Sequence, residues 1–293
     1  MTARLPALGR AHLALPVALL VGLGCLAPLA VLVIFSVFEV EDFELVPAFS
    51  GRAWAELFTT PSYWVLIGRA LFYGAMTALL TGLAGYPVAL ALARLPAAWK
   101  GVAVVVLLTP LYTGEIVRIY AWRIVLGAEG LVNAVLEAVG LIDDPLKVLL
   151  FSPLTIGLVL LYNNLPFMVL AIWVSAEMVD RRLIEAARDL GARPISAFAR
   201  VTFPLTLPGL AAGVFAVFAL AAGEMLTPSL LGGTYGATAM AIIDNLFGTA
   251  FDWPLASALA LALLVALFVA AVGLASLLLQ TRGARAVLQR GRT

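Results

Sequence analysis

Long apolar segments alternate with short polar segments along the whole chain. The apolar segments lie near residues 13–38, 64–92, 101–122, 153–176, 208–232 and 255–279. A helix needs about 20 apolar residues to cross the hydrocarbon core of a bilayer, and each segment reaches that length. The pattern predicts an all-α integral membrane protein with six transmembrane helices, arranged as a single transmembrane domain over residues 1–293.

The composition agrees with this prediction. Hydrophobic residues make up 63% of the chain and charged residues 12%, against about 45–50% and about 25% in an ordinary soluble domain. Lipid must therefore cover much of the apolar surface. One cysteine and one histidine leave neither a disulfide nor a Cys/His metal site to expect, and the net charge of +1 suggests no nucleic-acid partner.

Basic residues are concentrated in alternate connections between the apolar segments. Thirteen lie on one predicted side of the membrane: Arg4, Arg10, Arg94, Lys100, Arg181, Arg182, Arg188, Arg193, Arg200, Arg282, Arg285, Arg290 and Arg292. The connections on the other side hold only Arg52, Arg123 and Lys147, and carry most of the acids. Because Lys and Arg resist translocation, both termini and the segment 177–207 are predicted to face the cytoplasm.

One of the outer connections contains an amphipathic stretch. Between residues 128 and 150, apolar positions recur at helical spacing up to Gly140, which precedes an Asp-Pro turn. This pattern predicts a short helix at the membrane interface. It is either a plain surface helix or an outer lid or docking ridge.

A polar island, EAARDLGARPISAFARVTFPLTLPGL (185–210), begins within the cytoplasmic segment 177–207. In that segment, apolar residues recur at i, i+3, i+4 and i+7 on one face, at Leu183, Ala186, Ala187 and Leu190. Gly191 ends the predicted helix and Pro194 begins the next. The pattern predicts two short helices joined by a bend. They form either a solvated loop or a docking element.

The spacing in this island resembles the cytoplasmic loop of ABC importer permeases. In that family Glu-Ala-Ala is followed after three residues by Gly, and nine residues later by aliphatic-x-aliphatic-Pro. The matching residues are Glu185-Ala186-Ala187, Gly191 and Val201-Thr202-Phe203-Pro204, with Val and Phe in place of the commoner Ile and Leu.

Four further stretches are similar to the membrane subunits of polyamine importers of the spermidine/putrescine type. They are TPLYTGEIVRIYAWRIVLGAEGLVN (109–133), NNLPFMVL (163–170), GEMLTPSLLGG (223–233) and DWPLASALAL (252–261). Iron, phosphonate and opine importers carry related sequences, so the alternative is a permease for one of those substrates.

The resemblance implies a type I ABC importer permease in the cell inner membrane, whose loop helix sits in a groove of a separate ATPase. The implied ATPase-coupling residues are Glu185, Ala186, Ala187, Arg188, Asp189 and Gly191. The implied partners are an ATPase dimer, a second permease chain that is homologous but not identical, and an extracytoplasmic substrate-binding protein. ATP and Mg²⁺ would be bound by the ATPase, so we expect no cofactor, metal or catalytic residue in this chain.

The sequence motifs agree with the expectation that a separate subunit binds ATP. The two lysines, Lys100 and Lys147, follow Trp and Leu, so the chain has no Gly-Lys-Ser/Thr phosphate loop. It also has no HExxH or GxSxG motif, which disfavours a membrane enzyme. A self-contained ion-coupled carrier is a further alternative, and it would have to use Glu115 and Glu224.

Those two acids lie inside predicted spans, where ionisable residues are functional candidates. Helix breakers such as Pro110 and Gly223 lie close to them. The candidate substrate pathway is Glu224, Glu115, Tyr112, Arg118, Tyr120, Trp122, Asn163 and Asn164, since aromatic faces and carboxylates suit an organic di- or triamine. Alternatively, Glu115 and Arg118 form a structural ion pair, and the aromatics form an interfacial belt.

Overall fold

The computed structural model of the chain describes residues 7–147 and 149–280. These residues form thirteen helices: α1 (Ala7–Phe35), α2 (Arg52–Thr59), α3 (Pro61–Arg94), α4 (Ala97–Tyr112), α5 (Glu115–Leu126), α6 (Leu131–Ala138), α7 (Pro153–Glu177), α8 (Arg181–Asp189), α9 (Pro194–Ala197), α10 (Phe203–Ala222), α11 (Leu226–Leu231), α12 (Ala239–Phe247) and α13 (Trp253–Gln280). Five of the basic residues used to predict orientation lie outside the described residues: Arg4, Arg282, Arg285, Arg290 and Arg292.

Several helical stretches are long and apolar enough to cross a membrane. In the described part of the chain they are Pro61–Arg94, Glu115–Ala138, Pro153–Glu177, Pro194–Ala222 and Trp253–Leu274. Two further apolar helices, Leu19–Phe35 and Ala97–Tyr112, are shorter. The prediction of a mostly helical membrane protein with several spans is confirmed, and the number six stays a prediction.

Two of the predicted spans are not continuous helices. The segment predicted at 101–122 is interrupted between α4 and α5, where Gly114 adopts an extended conformation with ψ 138°. The segment predicted at 208–232 is interrupted between α10 and α11, directly after Gly223. The helix breakers noted in the sequence lie beside both interruptions.

The chain divides into two compact units. One consists of the chain up to Trp64 together with Ile242–Leu264. It carries the hairpin of β1 (Glu39–Glu41) and β2 (Glu44–Val46), which pair antiparallel. Within this unit the Arg52 guanidinium lies 2.8 Å from the Asp252 carboxylate.

The other unit consists of Val65–Ala241 and the chain from Val265 onwards. Its core is the packing of α10 on α7, with Met168 and Ile172 from α7 and Val217 and Phe218 from α10 all buried. Close approach is possible because α10 carries glycines four residues apart. A Cβ atom on Gly209 would lie 2.3 Å from Ser175 Oγ, so only glycine fits there.

Candidate functional site

The segment 177–207 forms two short helices joined by a bend, as predicted. Asp180 caps α8, because its carboxylate accepts the backbone N–H of Arg182 at 2.9 Å. Gly191 ends α8 with φ +83°, a left-handed conformation that favours glycine. The bend is closed by a hydrogen bond of 3.0 Å from the Ala192 N–H to the Ala187 carbonyl. α9 then begins at Pro194, which occupies its first turn.

The apolar side of this loop is not covered by the described part of the chain. Leu183 is 49% exposed, Leu190 89% and Ile195 82%. Glu185 and Arg188 lie on the same helix and are also exposed. An ordered helix with a bare apolar face is the arrangement expected of a docking element. A loop that is only solvated would have no reason to carry an exposed apolar face.

A π-helical turn, Phe198–Thr202, joins α9 to α10. Tyr86 of α3 packs against this joint, with its ring centroid 5.8 Å from that of Phe198 in an edge-on arrangement and 5.9 Å from that of Phe203. The Tyr86 hydroxyl also forms a short hydrogen bond with the Thr206 hydroxyl. The loop is therefore connected to α3 as well as to α10.

A second polar contact lies where the loop leaves α7. Glu177, the last residue of α7, forms an ion pair with Lys100 near the beginning of α4. The Trp173 indole N–H donates to the same Glu177 oxygen at 2.9 Å. These contacts hold the beginning of α4 to the end of α7, three residues before the Asp180 cap.

The two acids that the sequence predicts inside spans are neighbours in the structure. Glu115 is the first residue of α5, and its carboxyl group lies near that of Glu224. Glu224 also caps α11, accepting the N–H groups of Leu226 at 3.0 Å and Thr227 at 3.2 Å. Both acids are half-buried. Two carboxylates this close repel unless a proton or a cation lies between them.

The ion pair between Glu115 and Arg118, one of the alternatives drawn from the sequence, is wrong. In the described part of the chain, Arg118 instead donates to the carbonyl oxygen of Pro110 at the end of α4, and its Nε atom is buried without a partner. The physical reason is the break at Gly114. It exposes backbone carbonyl groups that attract the guanidinium. Arg118 therefore bridges the break and leaves Glu115 free to face Glu224.

The other pathway candidates are not all brought together. Asn164 is buried, and its amide donates to its own helix at the Leu160 carbonyl, 2.9 Å away, which is a structural role. Asn163 is 8% exposed, and its Oδ1 atom has no hydrogen-bond partner among the described residues. Trp122 packs edge-on against Tyr162 at 5.4 Å.

Two aromatic candidates are open to the surroundings. Tyr112 is 87% exposed and Tyr120 is 51% exposed. The part of the chain that the structure describes gives neither residue a contact with the acidic pair. The two residues therefore fit the alternative of an interfacial belt as well as they fit a substrate pathway.

Asn133 is a structural residue that sequence reasoning missed. It is 1% exposed on α6, where its amide donates to the Gly127 carbonyl at 3.0 Å and its Oδ1 accepts the Leu146 N–H at 2.9 Å. The predicted helix at this place and its end at Gly140, with φ +71°, are confirmed. The sequence feature that could have pointed to this role is a single polar residue among apolar neighbours on a short predicted helix.

The fold is that of bacterial ABC transporter chains of known structure. A crystal structure of a bacterial ABC transporter involved in the import of the acidic polysaccharide alginate aligns with a TM-score of 0.73, covering 93% of this chain and 95% of that chain at 16% identity. The alginate ABC transporter in complex with its alginate-pentasaccharide-bound periplasmic protein aligns with a TM-score of 0.70, at 94% coverage of both chains and 16% identity.

Sequence relatives show which kind of ABC transporter chain this is. The chain is 34% identical to the spermidine/putrescine transport system permease protein PotB of Escherichia coli, over 70% of this chain and 74% of that protein. It is 32% identical to PotB of Haemophilus influenzae, over 70% of this chain and 71% of that protein. The molybdenum transport system permease protein ModB of Mycobacterium bovis is 32% identical, over 76% of this chain and 83% of that protein. No protein-family model matches the sequence.

The chain is thus a multi-pass membrane subunit of an ABC transporter. It belongs to the family of ABC transporter permease proteins that includes the spermidine/putrescine transport system permeases.

Proposed function

We propose that this permease forms half of the pathway through which an ATP-driven importer moves a polyamine of the spermidine/putrescine type into the cell. The substrate class is supported by the 34% identity to PotB over 74% of that protein. A pair of facing carboxylates, Glu115 and Glu224, supports it independently, because a cationic substrate relieves their repulsion.

The loop of α8 and α9 couples this pathway to ATP hydrolysis. Its bare apolar face, with Leu190 89% exposed, is the observation that carries the assignment. The face inserts into a groove of a separate ATPase subunit, and Glu185, Ala186, Ala187, Arg188, Asp189 and Gly191 form the contact region. ATP and Mg²⁺ are bound by that ATPase. A rigid helix is required, since a flexible loop would absorb the displacement.

Coupling then proceeds through the joints at either end of the loop. Motion of α8 passes through the π-helical turn to α10, and through Tyr86 to α3. At the other end the Glu177 ion pair carries it to α4. Since α4 and α10 end next to the two helix breaks, the displacement reaches the segments that hold Glu115 and Glu224.

The remaining partners and the topology follow from the family. We infer six spans in the inner membrane with both termini in the cytoplasm, supported by the bias of Lys and Arg between connections. A second, homologous permease chain completes the pathway. An extracytoplasmic binding protein delivers the substrate, as supported by the structural relative that was solved with its periplasmic protein.

The coupling assignment is tested by copurification of the chain with its ABC ATPase subunit. Glu185→Arg inverts a charge on α8, and Gly191→Pro removes the left-handed bend. We expect both to abolish ATPase association and uptake while the permease stays in the membrane. Glu137→Arg, which makes the same charge change at an exposed residue of α6, is the matched control. Normal association in both variants would contradict the assignment.

A second substrate class has a specific observation in its favour, the 32% identity to the molybdenum transport permease ModB. The test is competition: excess unlabelled spermidine should abolish uptake of labelled putrescine, and excess molybdate should not. Uptake of labelled molybdate that excess unlabelled molybdate abolishes, and excess spermidine does not, would instead assign an oxyanion. The paired carboxylates argue against it, because they repel an anion.

A further inference from the structure

A cavity of about 250 Å³ lies behind α8, where α3 and α7 end. Three arginines line it: Arg94 from the last turn of α3, and Arg181 and Arg188 from α8. Glu185 is the only acid among its lining residues. The cavity therefore brings three guanidinium groups together against one carboxylate.

The three guanidinium groups have no acidic partner within the described chain. The ion pairs formed by the residues that the structure describes are Arg52 with Asp252 and Lys100 with Glu177. Glu185 lies one turn from Arg181 on the same helix, yet the two do not pair. Arginine forks favour phosphate oxygens, which they can bind in a bidentate manner.

A separate apolar groove of about 370 Å³ lies between α3 and α10. Its walls include Leu79, Leu83 and Pro87 of α3 and Phe203, Leu210 and Val214 of α10. Tyr86 brings the only polar side chain into the groove, and its hydroxyl is already bonded to Thr206.

The cavity and the groove share one face of α3. Leu79, Leu83 and Pro87 line the groove, and Leu90 and Arg94 line the cavity at the next helical steps. On the other wall, Thr202 of the cavity directly precedes Phe203 of the groove. From Leu79 to Leu90 the helix rises about 17 Å, close to the roughly 15 Å of one leaflet's hydrocarbon.

We propose that this two-part site binds an anionic phospholipid, with its phosphate-bearing headgroup in the arginine cavity and one acyl chain in the groove. Basic pockets beside spans on the cytoplasmic side are suited to anionic headgroups. A soluble anion would fill only the cavity, and an apolar helix of another chain would fill only the groove. A phospholipid matches both, in the order in which they occur along α3.

Binding would tie α8 to the end of α3, because Arg181 and Arg188 lie on α8 and Arg94 lies on α3. The site depends neither on the identity of the transported solute nor on the acidic pair. If the polyamine assignment fails, the proposed lipid site is unaffected. If the lipid site fails, the polyamine assignment is unaffected.

The test is native mass spectrometry of the purified full chain with phosphatidylglycerol or phosphatidylcholine of identical acyl chains. The variant replaces the cavity arginines: Arg94→Gln, Arg181→Gln and Arg188→Gln. The matched control removes the same charge from the same loop outside the cavity, through Arg182→Gln, Arg193→Gln and Arg200→Gln. We expect the cavity variant to bind phosphatidylglycerol roughly 100-fold more weakly, at about fivefold per arginine. The control should retain wild-type affinity.

A second variant addresses the groove without changing any charge. A Cβ on Gly82 would meet Leu210 at 3.8 Å, so there is room for the first atom of Gly82→Leu, and the rest of that side chain extends into the groove. We expect this variant to lose phosphatidylglycerol but to keep the wild-type thermal unfolding midpoint. Inorganic phosphate should not displace the lipid.

Three outcomes would overturn the proposal. Equal phosphatidylglycerol retention in the cavity and control variants would show that the arginines do not bind the headgroup. Displacement by millimolar inorganic phosphate would identify a site for soluble anions. Loss of the lipid when the second permease chain is added would identify a protein as the occupant.

Discussion

Glu115 and Glu224 come from two different broken helices, and their carboxyl groups are close neighbours. The contact exists because α5 begins at Glu115, directly after one break, and Glu224 lies in the other break, ahead of α11. Helix breaks expose polar groups at membrane depth only where protein or a water-filled path surrounds them. In the pathway that we propose, this junction is the polar point.

Neutralising either acid should weaken transport of a cation without unfolding the protein. In Glu224→Gln the amide oxygen can still accept the Leu226 and Thr227 N–H groups, so the cap on α11 remains. Loss of a charge-assisted contact lowers affinity by about 10- to 100-fold. We therefore expect putrescine uptake in proteoliposomes to fall in that range while basal ATPase activity stays unchanged. Equal loss of both activities would show a folding defect and contradict the pathway role.

The bend at Gly191 should be costly to alter. Its φ of +83° disfavours any side chain, although a Cβ would meet nothing within 4 Å. Gly191→Ala should therefore lower the free energy of unfolding by about 1 kcal/mol through the backbone alone. The control is Gly101→Ala in α4, also in open space but helical, which should be neutral or stabilising. Thermal unfolding in detergent measures both variants. An unchanged unfolding midpoint in Gly191→Ala would show that the bend does not need a glycine.

The packing of α7 on α10 should be disrupted by a side chain placed where the two helices approach most closely. In Gly209→Ala the new Cβ would lie 2.3 Å from Ser175 Oγ and 2.4 Å from the Ala171 carbonyl. Since backbone must move, we expect a loss of about 1–3 kcal/mol. Gly68→Ala in α3, with nothing within 4 Å, should leave the unfolding midpoint unchanged. Equal midpoints in the two variants would mean that the helices are less closely packed than described.

Removing the Asn133 amide should release the loop after α6. The side chain joins the Gly127 carbonyl to the Leu146 N–H through two part-buried hydrogen bonds, and losing each of them costs about 0.5–1.5 kcal/mol. We expect faster hydrogen exchange at the Leu146 amide and faster proteolysis near residues 140–147 in Asn133→Ala. Val135→Ala, which changes a 53% exposed side chain on the same helix, is the control. Unchanged hydrogen exchange at the Leu146 amide would show that Asn133 does not hold this loop in place.

Much of this arrangement was predictable because it depends on local rules. Helical spacing and the left-handed preference of glycine correctly predicted α8, the bend at Gly191 and the short helix that ends before Gly140. Helix breakers indicated that polar groups would gather near Glu115 and Glu224. The spacing of the Glu-Ala-Ala motif pointed to the family that the relatives then showed.

The parts that were missed depend on contacts distant in sequence. Arg118 is three residues from Glu115, and local spacing favoured their pairing. The break at Gly114 instead offered Arg118 a carbonyl group, and tertiary packing brought Glu224 to Glu115. Hydropathy averages over a window of residues, so it merged α4 with α5 and α10 with α11 into single spans.

In the proposed function, this permease moves a polyamine only when ATP hydrolysis by a separate subunit acts on α8. Uptake of labelled putrescine into proteoliposomes that hold the complete transporter, with the binding protein on one side and ATP on the other, tests this most directly. We expect ATP-dependent accumulation that is abolished by Glu185→Arg and retained in Glu137→Arg. Accumulation by this chain alone, driven by a proton or sodium gradient without ATP, would contradict it.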